Sequence, residues 1–538
     1  MATPSTAEKV FARKASGLVR GLSVVDAFGV GLMNIGLAPS MFFMISVGLL
    51  IYPGGNLIIA ALLGFLLGGI SFPLVWGILG GSMPRSGGEY VYNSRIISPV
   101  IAVAESFGNA WAWILWICTL APYVVNPGLT MLFGFLGLGW LNEYITGFWG
   151  LFLLSSLFNV IGFLLLAFGM KVFALAQRIA MTVGLVGVAV CLLVLTFSSH
   201  ENFVASWNNL ATQYQSLDYN AFLEAAKTFM TDNGATLPTT WNWPDTIGLM
   251  IAGSWLIIYA YAVAFIAGEV KRPDKTLIGG SFFACLIPTI AMVWCGIVLY
   301  RTVGYEFTVA ASYVDGMGGG LPGYNLPWST HFMGLAAILT QNPLILALFG
   351  ISFIAFSIWF VALSYLAFPR ILFAWGMDRV GPTWFTDINY RTSTPLKTMI
   401  LLFVIGEILL VPFCYFNDFR AGFVVTTLEI VSVFAVTALA ATIFAHRKKI
   451  KSLWETSPYK NWKILGIPVI TLAGVLNLIY LAILFYGFFF TIEGFTWWPY
   501  ATFLAVWLLG VAWYFFWKRR NAARGLDADM AFHELPPD

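Results

Sequence analysis

Three glutamates stand inside long apolar stretches of this 538-residue chain: Glu105, Glu407 and Glu429. An ionised carboxylate is costly in apolar surroundings, so each of these residues is by default a candidate for a functional site. The alternatives are a protonated carboxyl group and a hydrogen-bonded contact between helices. The three positions therefore indicate binding chemistry or helix contacts rather than a solvated surface.

Residues that usually carry out catalysis are few and scattered. The chain contains no HExxH, GxSxG or CxxC motif, so neither a catalytic constellation nor a zinc site or disulfide framework is indicated. We predict that the protein is not an enzyme and needs no cofactor. The histidines fall in loops or at the ends of apolar runs: His200, His331, His446 and His533. The cysteines occur singly: Cys118, Cys191, Cys285, Cys295 and Cys414.

The composition identifies the surroundings of these residues. Hydrophobic residues make up 59% of the chain and charged residues only 10%, against roughly 25% charged residues in soluble domains. Apolar runs of roughly 20 residues, long enough to cross ~30 Å of hydrocarbon, recur along nearly the whole chain. The lipid bilayer is therefore a predicted partner, and the net charge of +3 gives no indication of nucleic-acid binding.

Twelve of these runs are candidate membrane spans. Each is expected to be helical, because a segment in lipid must satisfy its own backbone hydrogen bonds and the runs lack the alternation of barrel strands. The first run is too long for a signal-peptide core and is expected to remain as a helix. The eighth could include a re-entrant or tilted part. The predicted spans are 22–51, 56–81, 99–125, 147–168, 172–198, 245–268, 277–300, 333–368, 397–416, 421–445, 464–489 and 497–517.

The distribution of basic residues predicts the orientation of the chain. Lysine and arginine are enriched in the cytoplasmic loops of membrane proteins. With a cytoplasmic N-terminus, all but three of the 28 basic residues fall on inner segments, and the exceptions are Lys227, Arg301 and Arg420. A wrong odd number of spans would scramble this sorting. We therefore predict a multi-pass protein of the plasma membrane with both termini cytoplasmic.

The spans divide into two sets of five and a final pair. Because five is odd, the second set enters the membrane in the opposite sense, so a repeated unit would be an inverted repeat. Within the two long outer segments, 218–230 has the apolar spacing of a short surface helix and 302–331 is predicted to be irregular. The predicted units are 1–21 (cytoplasmic segment), 22–199 (first five-span repeat), 200–244 (outer loop), 245–446 (second repeat), 447–463 (cytoplasmic loop), 464–517 (last two spans) and 518–538 (cytoplasmic tail).

Span one is expected to break near the middle of the membrane. Pro39 lacks an N–H group and clashes with the preceding turn, while Gly36 permits unusual dihedral angles. A broken helix exposes N–H and C=O groups, which are tolerated at this depth only where something polar satisfies them. The positive end of the second half-helix would suit a substrate carboxylate. A simple proline kink is the alternative.

Four motifs occur in order between about residues 20 and 450. Gly36-Leu37-Ala38 lies at the expected break, and the sequence MPRSGGEYVY occupies 83–92 after span two. GEVKRP occupies 268–273 after span six, and RILFAWGMD occupies 370–378 after span eight, followed by Thr394-Pro395. Together these motifs resemble the inner loops and helix break of the amino acid–polyamine–organocation (APC) superfamily of transporters.

The resemblance implies a fold and a function. The fold would be an all-α integral membrane protein with a five-plus-five inverted repeat of the LeuT type and two extra helices. The function would be that of a secondary transporter or exchanger that moves amino acids or related amines by alternating access. A transporter of another small organic solute is the first alternative, and a channel or a membrane sensor is a further one. Because the sequence has no ATP-binding P-loop, a solute gradient would supply the energy, with H⁺ or Na⁺ as candidate co-substrates.

The resemblance also implies where the substrate binds. Residues 271–273 set the register of span six and place Trp255 and Tyr259 at the site. Because the stretch from Trp255 has no glycine or proline, it either unwinds less than in the family or is held open by neighbouring contacts. Leu37 and Ala38 replace the family's small polar residue and second glycine, which leaves open a less polar pocket. The implied substrate-binding residues are Ile35, Gly36, Leu37, Ala38, Asn109, Trp113, Trp255, Ile258 and Tyr259.

The sequence gives fewer indications of a coupling ion than of the substrate site. Proton-coupled members of the family often carry a lysine in span five, seven residues after a glutamine. Counting from Gln177 gives Gly184, so lysine-mediated proton symport is not expected, and exchange or facilitated diffusion is favoured. Glu105 is the other candidate proton carrier. A sodium site would need hard oxygen ligands, which Ser357 and the carbonyl groups near Gly36 could supply.

Overall fold

The computed structural model describes residues 20–416, 423–490, 497–526, 529–532 and 535. Nearly all of the predicted N-terminal segment 1–21, part of the predicted tail 518–538, Arg420 and His533 lie outside the described residues.

The helices, numbered in chain order, are α1 Val24–Ile35, α2 Leu37–Ile51, α3 Leu57–Gly64, α4 Ile70–Ser82, α5 Glu89–Ile96, α6 Pro99–Tyr123, α7 Thr130–Phe135, α8 Asn142–Thr146, α9 Phe148–Ala167, α10 Met170–Thr196, α11 His200–Gln213, α12 Tyr219–Asp232, α13 Trp243–Ala252, α14 Trp255–Ile258, α15 Pro273–Thr302, α16 Tyr305–Gly316, α17 Phe332–Ile338, α18 Pro343–Met377, α19 Leu396–Tyr415, α20 Phe423–Phe444, α21 Lys451–Glu455, α22 Val469–Phe490 and α23 Trp497–Ala522.

Shorter elements connect these helices. The π-helical turns Phe65–Gly69 and Val124–Leu129 join α3 to α4 and α6 to α7. The two short strands β1 Lys463–Ile464 and β2 Ile467–Pro468 pair in antiparallel fashion. The 3₁₀ turns are Gly139–Leu141, Tyr259–Ile266, Thr383–Thr386, Lys448–Ile450 and Asp529–Phe532.

The described helices include eleven candidate membrane spans, and a twelfth if one bent pair of helices is counted as a span. Eleven are long and apolar enough to cross a bilayer when α1 with α2, α3 with α4, and α6 with α7 are each counted as one. The twelfth is a bent pair made of α13 and Trp255–Ile266. Each coincides with one of the predicted spans, which confirms the predicted all-α membrane fold. The inverted repeat stays a prediction.

Span eight begins later than predicted. The apolar run 333–368 contains two helices, the short α17 and the long α18. Asn342 separates them, because its side chain accepts a hydrogen bond from the Leu344 N–H group and so caps α18, whose first residue is Pro343. The predicted re-entrant part is therefore a separate short helix that precedes the span.

The segments 200–244 and 302–331 are more helical than predicted. The helix predicted at 218–230 is confirmed as α12, and α11 precedes it. The prediction of irregular structure for 302–331 is wrong over the length of α16. The reason is tertiary: the Phe307 ring packs against the rings of Trp207 and Tyr219, with centroids 4.6 and 4.4 Å apart. Such distant packing leaves no local pattern in the sequence.

The connecting segments gather on two opposite faces of the helical bundle. On one face, Leu22 forms a short parallel bridge with Val270, close to the segment 83–98. On the other, the Gly54 N–H group donates to the Asp245 carboxylate at 2.7 Å. We name the face that holds residues 83–98 the inner face, following the charge pattern, and the opposite one the outer face. Which of them meets the cytoplasm stays a prediction.

Candidate functional site

Span one is interrupted at Gly36. Helix α1 ends and α2 begins there, and Gly36 has a φ of 61° and a ψ of 74°, in the left-handed region that glycine adopts without steric cost. A Cβ atom at this position would lie 2.2 Å from the ring of Phe360 in α18. The predicted break is thus confirmed, and both the backbone conformation and the close approach of α18 require a glycine.

The break places backbone polar groups between the two half-helices. The Ile35 carbonyl accepts a hydrogen bond from the Ser40 hydroxyl at 2.5 Å, and the Gly36 carbonyl accepts from the Ser40 N–H group at 2.9 Å. Leu37 and Ala38 begin α2, and the first N–H groups of a helix have no partner within it. These groups, with the positive end of the helix dipole, are suited to binding a carboxylate.

Span six is interrupted as well. Its two parts meet at an angle of 43°, and the bend lies at Gly253 and Ser254, between α13 and α14. The chain then tightens into the 3₁₀ helix Tyr259–Ile266. The resemblance places a glycine at the position of Tyr259, but the bend of span six lies before that residue. The glycine at the bend in this chain is Gly253.

Asn34 joins the two interrupted spans. Its Nδ2 atom donates to the Tyr259 carbonyl at 2.8 Å, and both residues are buried. Without this donor, the carbonyl would face an apolar interior, which is costly. Both alternatives for span six therefore apply. The segment stays helical as a 3₁₀ helix, and the Asn34 side chain binds its backbone.

A small cavity lined by buried residues lies where spans one, three, six and eight meet. It has room for about one water molecule. None of the lining side chains carries a charge, so the cavity is neutral and largely aromatic. The lining residues are Asn34, Trp116, Leu120, Trp255, Tyr259 and Phe360.

Six of the predicted site residues lie at this cavity or beside it. Trp255 and Tyr259 line it, and the run from Ile35 through Gly36 and Leu37 to Ala38 forms the adjacent break, in contact with the lining residue Phe360. The Trp255 ring stacks on Phe43 with centroids 4.3 Å apart. The structure therefore brings these six predicted residues close together.

The other predicted residues lie outside the cavity lining. Trp113 packs behind Trp116, with ring centroids 4.5 Å apart, and the Asn109 amide donates toward Glu89 at 3.4 Å. Ile258 is buried in the core. The Ser357 hydroxyl, proposed for a sodium site, donates to a carbonyl one turn earlier in α18, at 2.9 Å.

Four lining residues were not predicted: Asn34, Trp116, Leu120 and Phe360. Two of them left a signal in the sequence. Asn34 is an isolated polar residue two positions before Gly36, and Trp116 belongs to the aromatic stretch that contains Trp113. Leu120 and Phe360 resemble any other apolar residue of a span, so only the packing of distant helices identifies them.

An aromatic cluster lies on the outer side of the cavity. Phe42, one and a half turns beyond Gly36 in α2, contacts the rings of His331 and Phe353 edge to face, at 4.8 and 5.9 Å. Burial lowers the pKa of His331 to about 3, so its ring is neutral. Tyr123 of span three completes the cluster, 6.3 Å from Phe42. The cluster thus joins α2 to span three, span eight and the segment before α17.

A model of the amino acid permease family matches residues 22–513. The chain belongs to the amino acid permease family. The membership that the sequence motifs predict is thereby confirmed. The chain is also similar to several curated proteins, although each of these similarities covers a smaller share of the chain. The names of these proteins describe transporters or permeases of amino acids.

Three relatives illustrate this similarity. An uncharacterized amino-acid permease of Schizosaccharomyces pombe is 25% identical over 78% of the chain and 68% of its own length. Cationic amino acid transporter 3, mitochondrial, of Arabidopsis thaliana is 28% identical over 33% of the chain and 26% of its own length. Cationic amino acid transporter 2, vacuolar, of the same plant is 26% identical over 44% and 30%. The chain thus spans under a third of the length of these two transporters.

The inner motifs of this permease form buried ion pairs. Arg95 binds Asp378 through both guanidinium nitrogens, at 2.6 and 2.8 Å, and the Tyr90 hydroxyl donates to the same carboxylate at 3.0 Å. Arg370 binds Glu269 in the same two-fold manner, at 2.6 and 2.9 Å. These pairs join segments from spans two, three, six and eight. Because separating a buried pair leaves uncompensated charge, these pairs stabilise the packing of the segments at the inner face.

The described part of the C-terminal segment packs on one of these pairs. The carbonyl of Ala531 accepts a hydrogen bond from Arg95 at 3.3 Å, and the Phe532 ring lies 5.5 Å from the guanidinium carbon. Both residues are buried. Ala531 and Phe532 thus add to the packing around Arg95 at the inner face.

The three glutamates of the apolar spans have neutral hydrogen-bond donors. The amide of Asn93 donates to Glu105 at 2.8 Å, and the indole N–H of Trp507 donates to Glu429 at 2.8 Å. Glu407 accepts from a serine hydroxyl and an asparagine amide, each at 2.7 Å. Each glutamate therefore also makes a helix contact, as the alternative reading of the sequence suggested.

The sequence analysis did not single out another buried glutamate, Glu89. Glu89 belongs to the motif at 83–92, which joins two predicted spans, and a charged residue in such a connecting segment would be expected to meet solvent. Glu89 is 1% exposed, and its carboxylate accepts from the indole N–H of Trp76 at 2.8 Å. Burial raises the pKa of Glu89 to about 7, against the opposing effect of its hydrogen bonds.

Proposed function

We propose that this permease is a secondary transporter or exchanger of neutral amino acids with apolar side chains. The observation that carries the proposal is the cavity between the two interrupted spans, whose lining residues are buried, largely aromatic and uncharged. A site of this kind takes a zwitterion whose charges meet backbone groups and whose side chain meets rings. The range of proposed substrates narrows accordingly from amino acids and related amines to neutral amino acids.

Each part of such a substrate has a counterpart in the site. The α-carboxylate would lie at the start of α2, beside the N–H groups of Leu37 and Ala38. The α-ammonium group would face the carbonyl-rich end of α1, which carries partial negative charge. The side chain would lie between Trp116 and Trp255, whose rings supply apolar surface.

The electrostatics of the cavity argue against a cationic side chain. Two relatives carry the words cationic amino acid transporter in their names, yet the cavity of this permease offers no carboxylate. A lysine or arginine side chain would be buried without a counter-charge, at a cost of several kcal/mol. We therefore place lysine and arginine outside the substrate range.

Contacts on either side of the cavity support the proposal of alternating access. The aromatic cluster around Phe42 covers the outer side, and the pairs Arg95–Asp378 and Arg370–Glu269 cover the inner side. Opening one seal at a time would expose the substrate to one face and then the other. We propose that residues 22–199 and 245–446 form the two inverted repeats that rock against each other, as in LeuT-type transporters.

The cellular placement remains part of the proposal. We place the protein in the plasma membrane with its inner face toward the cytoplasm, because nearly all basic residues fall on that face. The relatives named above include vacuolar and mitochondrial proteins. Imaging of a tagged chain in its native cell would distinguish these membranes.

Uptake into proteoliposomes tests the proposal. The purified permease would be reconstituted and supplied with labelled leucine, phenylalanine, lysine and arginine, each with and without unlabelled substrate inside. Leucine or phenylalanine should enter and should exchange with internal substrate, while lysine and arginine should stay at the level of empty liposomes. Uptake of lysine or arginine in preference to neutral amino acids would contradict the proposed substrate class, and a lack of all uptake would contradict transport itself.

A further inference from the structure

Buried carboxyl groups near the inner face fall into two kinds. Glu269 and Asp378 are each matched by an arginine at 2.6 Å. Glu89 and Glu105 are equally buried, at 1% and 0% exposure, but among the described residues their carboxyl groups accept hydrogen bonds from neutral donors only. A buried carboxylate without a counter-charge is costly, and protonation removes that cost.

The two glutamates are held on neighbouring helices by related contacts. Glu89 begins α5 and accepts from Trp76 at 2.8 Å and from the Asn109 amide at 3.4 Å. Glu105, in span three, accepts from the Asn93 amide at 2.8 Å. Since Asn93 lies in α5 and Asn109 in span three, each helix supplies both a carboxyl group and an amide. The pair therefore forms one polar cluster within the core.

This cluster has more acceptors than donors. Three buried oxygen atoms in it have no hydrogen-bond partner among the described residues: Oε2 of Glu105, Oδ1 of Asn93 and Oδ1 of Asn109. An unpaired buried acceptor costs about 1–3 kcal/mol. A carboxylate can only accept, whereas a carboxyl group donates one hydrogen bond. Adding protons to the two glutamates supplies the donors that the cluster lacks.

The cluster is connected to the substrate cavity through span three. Asn109 lies one turn before Trp113, and Trp113 packs on Trp116, which lines the cavity. Trp113 also packs on Tyr261 and Phe265 of span six, with ring centroids 6.3 and 5.9 Å away. Movement of either interrupted span would therefore alter the surroundings of the cluster.

Other titratable groups around the cluster are few. Tyr92 of α5 and Tyr261 of span six face Glu89, and both phenols are neutral at physiological pH because that is their ordinary state. Glu429 of span ten approaches span three at Gly108 and accepts from Trp507. The charged groups on adjoining segments, Arg95 and Asp378, bind each other. Within the part of the chain that the structure describes, no cation near the cluster is placed to hold its carboxyl groups ionised.

We propose that Glu89 and Glu105 together form a proton-binding site that couples substrate movement to proton movement. This inference rests on the proposed transport function and adds a co-substrate to it. A proton from water on one side would bind a carboxylate oxygen, and the same O–H bond would break when the cluster opens toward water on the other side. The substrate is chemically unchanged. Such a site would take the place of the lysine that span five lacks at Gly184.

The test combines substrate uptake with proton movement in the same proteoliposomes. A trapped pH-sensitive dye would report internal acidification when a transported neutral amino acid is added outside. Wild-type permease should acidify the interior, and the ratio of protons to substrate should fall to background in Glu89→Gln and in Glu105→Gln. Glu407→Gln is the matched control, because Glu407 is also an intramembrane carboxyl group with neutral donors but lies in span nine; its ratio should equal that of wild type.

A conservative variant provides a second readout if a glutamine variant fails to fold. Trp76→Phe removes the indole donor to Glu89 and retains a ring that can stack on Phe72, as Trp76 does at 4.5 Å. Loss of a donor to the ionised form raises the pKa of the carboxyl group, so the midpoint of pH-dependent uptake should shift to higher pH than in wild type.

Three results would overturn the inference. Wild-type uptake without proton movement would remove the proton site and leave transport intact. Folded Glu89→Gln and Glu105→Gln proteins that still move protons with substrate would show that the protons bind elsewhere. An unshifted midpoint in Trp76→Phe would separate Glu89 from the pH dependence. A complete lack of uptake by wild type, by contrast, would overturn the transport function on which the inference rests.

Discussion

Gly36 is the residue with the least freedom in the candidate site. Its φ is positive, and a Cβ atom added at this residue would lie 2.2 Å from the Phe360 ring. A non-glycine residue in the left-handed region costs roughly 1–2 kcal/mol, and overpacking adds typically 1–3 kcal/mol. The two requirements act on the same atom, so no other residue type satisfies both.

Gly36→Val should abolish transport. The side chain would strain the break and push into the space between α2 and α18, where the substrate is proposed to lie. The measurement is uptake of a confirmed substrate, together with substrate-induced thermal stabilisation of the purified protein. Gly279→Val is the matched control, because Gly279 lies in span seven with no atom within 4 Å of its Cβ position and no positive φ. Equal transport by Gly36→Val and wild type would remove the break from the mechanism.

Trp255→Ala should weaken substrate binding more than it weakens the fold. Trp255 lines the cavity and stacks on Phe43 at 4.3 Å, so truncation removes one wall of the site. Aromatic residues at such positions contribute more than ~1 kcal/mol to binding, about a five-fold change in Kd or more. Isothermal titration would compare this variant with Trp294→Ala, a tryptophan of span seven whose N–H donates to Thr196 at 3.0 Å. Unchanged affinity in Trp255→Ala would place the substrate elsewhere.

At this scale the sequence predicted the residues whose type is unusual for a membrane helix. Gly36 and Pro39 were detectable because they disrupt a helix, and Trp255 and Tyr259 followed from the motif at the end of span six. Phe360 was not detectable, because a phenylalanine in an apolar span has many packing partners and its contact with Gly36 joins distant parts of the chain. Trp113, four residues after Asn109, shares a helix face with it, but Trp116 is the residue that reaches the cavity.

The two interrupted spans act as one element because Asn34 connects them. Its bond to the Tyr259 carbonyl, 2.8 Å long, satisfies a backbone group that the tightened helix leaves available. Loss of such a bond leaves a buried acceptor without a donor, at a cost of about 1–3 kcal/mol. The relative position of spans one and six, and hence the shape of the cavity, depends on this contact.

Asn34→Leu should therefore lower both stability and transport. The leucine fills similar volume but cannot donate to Tyr259, so the thermal unfolding midpoint should fall and uptake should be lost. Asn477→Leu provides the comparison, because the Asn477 amide is also buried but donates to Ser71, at 2.8 Å, between spans eleven and two. That variant should lose stability and keep its uptake per folded molecule. Wild-type uptake by Asn34→Leu would show that the contact is dispensable.

The elements themselves were largely predictable, with two exceptions that share a cause. Apolar length identifies a span regardless of its neighbours, which explains the agreement for twelve spans. Helix α16 depends on the packing of Phe307 against aromatic residues of α11 and α12. The division of the run 333–368 into α17 and α18 depends on Asn342, which caps α18. The bend at Gly253 also escaped prediction, because the motif register draws attention to Tyr259 instead.

For the whole molecule, the distribution of charge predicts a sidedness that labelling can test. Asn220→Cys and Gly525→Cys each place a thiol at an exposed position, in α12 and after α23. The five native cysteines are all buried, so background labelling by an impermeant reagent should be low. In intact cells, the thiol at 220 should react and the thiol at 525 should react only after permeabilisation. Reaction of both thiols from the same side would contradict the predicted topology.

The central claim is that one site, between the interrupted spans, binds a neutral amino acid. A structure of the permease with bound leucine or phenylalanine tests it most directly. The account predicts ligand density in the cavity beside Gly36, with the carboxylate within hydrogen-bond distance of the Leu37 and Ala38 N–H groups and the side chain between Trp116 and Trp255. Density in another part of the molecule, with this cavity still closed, would contradict the account.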